Sequence, residues 1–219
     1  MAALNLPLSV ANLADLIRVE SVAWNILRMD EMSMIGGGEF LTHDLGPQLW
    51  EADVSSVQMY HAEAQRVLAR FNALDGSNHA FYLYNPTEAY PATDLDGALF
   101  GAATTTILSI NADRKQLAFT GAPLSLLIPW GTWFHVEAGS PSRRWLHVTV
   151  ADITANGSGV TGQVEVRPHL RPGVTTTLGV TFVKPAAKVK VVPDSLRIET
   201  TNALMSRITF QARQTLQAG

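Results

Sequence analysis

The spacing of its turn residues most limits what this chain can fold into. Beyond one amphipathic segment near residues 56–74, short apolar runs and turn chemistry alternate almost to the C-terminus. Strand-length runs fall near 104–110, 116–120, 132–137, 144–153, 162–167 and 178–184. Several alternate: Val164 and Val166 oppose Gln163, Glu165 and Arg167, while Leu146, Val148 and Val150 oppose His147 and Thr149. Turns such as Asn111-Ala112-Asp113 and Asn156-Gly157-Ser158-Gly159 divide them. Many short strands at regular spacing predict a small barrel or sandwich. The alternation places His135 and His147 at surface positions on their strands.

The N-terminal part is more varied. Residues 14–30 read as extended, through Val19, Val22, Trp24, Ile26 and Leu27. Gly36-Gly37-Gly38 marks a loop or sharp bend, followed by short strands over Glu39–Leu45 and Gln48–Val54. Ser55 and Gln58 have capping-box spacing. From there Val57, Tyr60, Ala64, Val67, Leu68, Phe71 and Leu74 form one apolar stripe of an amphipathic helix, which Asp75-Gly76 ends. Ala80–Asn85 is a further aromatic strand, and Pro185 reads as a boundary. The last run, Met205–Arg213, alternates most regularly. Ile208, Phe210 and Ala212 share one face as a sheet-completing strand and possible ring contact; Arg207, Thr209, Gln211 and Arg213 share the other. This predicts a mainly β chain with one amphipathic α-helix and an interrupted first domain (residues 1–98 plus 186–219). A smaller barrel (residues 99–185) is inserted into it.

Few chemistries find their residues here. The 219 residues are 47% hydrophobic and 16% charged, which suits a packed core. The net charge of −3 offers no basic footprint for duplex binding. Cysteine is absent, so disulfides, thiolate metal sites and thiol nucleophiles are excluded. No basic-then-apolar leader opens the chain, and no apolar run is long enough for a membrane helix, so a soluble protein made in the cytoplasm is expected. The six histidines show no HExxH spacing, no GxSxG elbow occurs, and no glycine-rich loop leads into a Lys-Ser or Lys-Thr. His43-Asp44 reads as a polar loop and Asp94-Leu95-Asp96-Gly97 as a turn, since most of a calcium loop's ligands are missing. Glu88, Asp94, Asp96 and Glu137 carry nothing that separates them from solvated charges. Trp130, Trp133, Phe134 and Trp145 read as core or subunit contact, with a sugar platform as the alternative. No catalytic role, cofactor or metal is expected.

The order of motifs resembles a known family. The run from Leu117 to Leu170 includes Gly121-Ala122-Pro123-Leu124, Trp145-Leu146-His147-Val148 and Asp152-Ile153-Thr154-Ala155-Asn156-Gly157. Glu165-Val166-Arg167-Pro168-His169-Leu170-Arg171-Pro172 follows. Before it stand Leu45-Gly46-Pro47-Gln48-Leu49-Trp50, the helix, Leu74-Asp75-Gly76 and a strand with Phe81; after it comes Ile208-Thr209-Phe210-Gln211-Ala212. In this order they are similar to the distal tail proteins of long-tailed (siphovirus-type) bacteriophages and related gene transfer agents. The resemblance implies a belt domain (a β-sandwich or split barrel plus helix) with an inserted small OB-like β-barrel. It implies a homohexameric ring in the virion tail tip, assembled in the host cytoplasm. A tail tube protein would lie above it, a tail hub protein below, and DNA would pass through the lumen without specific binding. A tube or other minor tail protein and a carbohydrate-binding module are the alternatives.

Overall fold

The computed structural model describes residues 4–140, 142–201 and 204–217. Along the chain, two 3-10 turns (Val10–Asn12, Ala14–Leu16) lead into β1 (Val19–Leu27). A hairpin of β2 (Asp30–Met34) and β3 (Phe40–Asp44) comes next, then β4 (Leu49–Ser56) and β5 (Met59–Tyr60). Helix α1 (His61–Asn72), β6 (Phe81–Tyr84), a 3-10 turn (Pro86–Glu88) and a second, five-residue helix α2 (Ala98–Ala102) complete the N-terminal part. Then come β7 (Thr106–Ile110), β8 (Gln116–Thr120), β9 (Leu127–Ile128), β10 (Trp133–Ala138) and β11 (Arg143–Thr149). The chain continues through β12 (Ile153–Thr154), β13 (Val164–Arg167), β14 (Val180–Thr181) and β15 (Ala186–Val191). It ends in β16 (Arg197–Thr200) and β17 (Met205–Gln214). The chain is mainly β, with a nearly closed barrel-like sheet.

One sheet joins the chain's two ends, in the order β1-β4-β17-β15-β6, with β5 and β16 also paired to β17. Its inner face carries Trp50, Ala52, Val54, Phe210 and Ala212, in one core with Ala64, Val67 and Phe71 of α1. Phe71 meets Phe210 at 4.9 Å and Phe81 at 5.9 Å. The apolar stripe of α1 is therefore as expected, but its start is not. Ser55 lies in β4, held between β1 and β17, and the Gln58 side chain turns to Thr201. The strand's hydrogen bonds outcompete a capping box, so the helix begins at His61 without a side-chain cap. It ends at Asn72, short of the expected Leu74, and turns lead on to Asp75 and Gly76, both left-handed (φ 49° and 68°).

The second sheet has the order β14-β10-β11-β13-β8-β7. It nearly closes, because Ile107 N–H donates to Leu178 O (3.0 Å) and Val180 N–H to Thr105 O (2.9 Å). Phe119, Phe134 and Phe182 fill it with centroids 5.3–5.6 Å apart, and Phe100 of α2 packs on Phe182 at 4.4 Å. Asp94 is buried and accepts from the N–H groups of Leu99 and Phe100, while Asp96 accepts from Ala98. These two carboxylates thus hold the start of α2. Gly121, with φ 73°, is required where a Cβ would strike the Thr104 carbonyl.

β10 and β11 form a wall shared by both cores. Phe134, Val136, Trp145 and His147 face the barrel interior; Trp133, His135, Leu146 and Val148 face the first sheet. Trp50 Nε1–H donates to Leu146 O (2.8 Å), and the Trp50 and Trp133 rings lie 4.5 Å apart. The expected surface positions of His135 and His147 are therefore corrected: they are 7% and 2% exposed. Both faces of this wall are covered, which an alternation of apolar and polar residues does not reveal.

Candidate functional site

The described residues contain no group of three or more His, Asp and Glu side chains placed to hold a metal ion. No helix among them is long and apolar enough to cross a membrane. The carboxylates weighed for chemistry do not act together. Asp94 and Asp96 hold α2, and Glu137 pairs with Arg144 (2.6 Å). Glu88 stands at the end of its 3-10 turn, where burial raises its carboxyl pKa. The histidines are equally dispersed. His61 Nδ1 lies 2.9 Å from Ser206 Oγ, His79 lies near Asp75, and His43 is on the exposed β3.

His147 Nδ1 lies 2.8 Å from Pro168 O, an acceptor only, so this nitrogen carries the proton. The other ring nitrogen is buried with no partner. Burial pushes its pKa down to about 4, against the raising effect of the Pro168 carbonyl. His135 accepts from Ala186 N–H and is pushed down to about 3, by burial first and by Arg144 second. Both are neutral packing residues.

The aromatic cluster does not make one platform. Trp145 lines the barrel core, Trp133 packs edge-on against Trp24 (5.7 Å), and Phe134 is fully buried. Trp130 alone faces outward, 74% exposed, its N–H held by Asp152.

Ile208, Phe210 and Ala212 lie where a sheet-completing strand puts them, at 0–2% exposure. A ring contact through these side chains is corrected by that burial. β17 is paired along both edges, with β4 and β5 on one side and β15 and β16 on the other. It offers no open edge to a neighbour. Its outward face is neutralised within the chain, since Arg207 pairs with Glu20 (2.7 Å) and Arg213 with Glu51 (2.9 Å).

The open surface lies at the other end of that sheet. The far edge of β6 is covered by Leu8, whose N–H and C=O bond to Ala80 and Tyr82. Among the described residues no strand pairs with the far edge of β1, nine residues long. From the same end, the β1–β4 ladder runs on into the β2–β3 arm, where Leu45 N–H donates to Met29 O (2.8 Å). All ten strand residues of the arm are exposed. Met32, Met34 and Phe40 share one face at 64%, 70% and 58% exposure. Asp30 and Asp44 stand directly opposite each other on that face.

The expected strand over Glu39–Leu45 is present as β3, and it pairs with a further strand, β2, outside the expected set. The signal was there: Met32, Met34 and Ile35 before the three glycines and Phe40 and Leu41 after them are the flanks of a hairpin. In comparisons with known proteins, no family model matches this chain and no curated protein matches it.

Proposed function

We propose that this chain is a structural protein whose copies join edge to edge into a ring. The fuller reading is a six-membered adaptor at the distal end of a phage-type tail tube. In that reading, residues 1–98 and 186–219 form the ring-building belt, and residues 99–185 form an OB-like barrel on its outside. The tube docks above, the tail hub below, and DNA crosses the central hole. The motif order set out above supports the tail assignment.

The observation that carries the reading is the unpaired edge of β1 continuing into a fully exposed apolar arm. A two-stranded hairpin is marginal in water by itself. Open edges and apolar hairpins invite pairing, and chains that keep them generally cover them with a partner. Two different patches meeting around a rotation axis close a ring. The paired charges on the outward face of β17 leave no basic strip to hold DNA phosphates there.

Electron microscopy and light scattering of the purified protein test this. Closed rings of six 23.7 kDa chains are expected. A strict monomer at high concentration, with tail partners added, overturns the reading. Exposed Trp130 favours carbohydrate binding as the second reading; a glycan array with Trp130→Ala as control decides it.

A further inference from the structure

The outer side of α1 carries a groove of about 710 Å3 whose floor includes Leu16, Met59 and Val67. Arg18, Arg66 and Arg70 also line it. Its two carboxylates are already engaged: Glu63 with Arg18 (3.7 Å) and Asp15 with Lys184 (2.9 Å). Arg66 and Arg70 form no ion pair among the described residues. The groove is thus apolar at its base with two cations left over.

The arm has the opposite character. From Asp30 to Asp44 it holds four carboxylates (Asp30, Glu31, Glu39, Asp44) and no Lys or Arg. Asp30 and Asp44 oppose each other across the ladder, on the same face as Met32, Met34 and Phe40. Like charges placed so destabilise a hairpin until a cation joins them. Arm and groove therefore match in both apolar surface and charge.

They cannot meet within one chain. The groove lies beside Arg18 and Met59, next to the Val19↔Ser56 end of the β1–β4 ladder; the arm leaves from the Leu27↔Leu49 end. The nine residues of β1 separate them by about 30 Å, and the arm points away. We propose that the arm of one copy seats its Met32–Met34–Phe40 face in the α1 groove of the next copy. Its carboxylates then meet Arg66 and Arg70. The contact is head-to-tail, as a ring requires, and the inference rests on the multi-copy reading above.

The absence of cysteine makes a clean test. Met34 and Ala69 are both exposed, on the arm and beside the groove. The full-length double variant Met34→Cys/Ala69→Cys should give a ladder of covalent multimers on oxidation, while neither single variant does. Separately, Arg66→Glu/Arg70→Glu should raise the concentration for half-assembly at least about tenfold, and adding Asp30→Lys/Asp44→Lys should reverse this. Multimers that form no ladder and ignore the charge reversal overturn the arm–groove contact while leaving a ring intact. A wild-type protein that stays monomeric, even with tail partners, overturns both.

Discussion

β17 and the β2–β3 arm both gather apolar side chains on one face and meet opposite fates. β17 alternates throughout and the arm only over Met32-Ser33-Met34, and each carries a phenylalanine on the face of its other alternating apolar residues. Phe210 is 2% exposed and touches Phe71, whereas Phe40 is 58% exposed. β17 has strands along both edges, and the arm has only itself. The difference teaches that alternation specifies a face without saying what will cover it. Within one chain, β17 is finished and the arm is not.

The largest expected effect breaks this contrast at its buried end. Phe210→Ala should cost about 3–5 kcal/mol, the range for emptying an aromatic site in a core. Phe40→Ala should change the stability of the dilute monomer by less than about 0.5 kcal/mol. Chemical denaturation of the two variants side by side checks the pair. Equal losses would mean that the arm is packed within its own chain.

Acid sharpens the contrast next, because it acts on the interior. His135 and His147 stay neutral when folded, with pKa values pushed down to about 3 and about 4 from 6.5. Between pH 6.5 and about 4 the unfolded chain gains protons there that the folded chain refuses. Stability is therefore full above pH 6.5 and falls through this window, by up to about 1.4 kcal/mol per pH unit for each histidine. Melting temperatures across the window should show this slope, and His147→Asn should remove about one proton's share of it. A flat profile would contradict the burial of both rings.

A smaller loss is expected at the wall between the cores. Arg144 pairs with Glu137 and lies over the Tyr82 ring at 3.9 Å, linking β11 to β6. The pair is partly solvated, which weakens it, so Arg144→Met should cost only about 1 kcal/mol. A loss as large as that of Phe210→Ala would show that the two cores depend on this link and not on Trp50 and Trp133.

Much of the fold is legible in the sequence. The strands of the second sheet, the apolar stripe of α1, the left-handed turn at Asp75-Gly76 beyond it and the inward face of β17 all follow from local periodicity and turn chemistry. The site was less legible. β2 is hard to read because its only apolar residues are Met32 and Met34, and Ile35 and three glycines follow directly, a run that reads as loop. Ser55 and Gln58 had the spacing of a cap but lie in and beside a strand already paired on both sides.

By itself, the sequence of this chain determined which residues alternate, where turns fall and which segment is helical, since those depend on neighbours a few positions apart. Only the tertiary structure decided that His147 faces a barrel core, that β17 is enclosed and that the arm is bare. Burial and edge pairing are set by elements far away in the chain: Pro168 for His147, and β4 and β15 for β17. Alternation repeats every two residues whichever side the water is on, so the wet side becomes known only once the layers have packed.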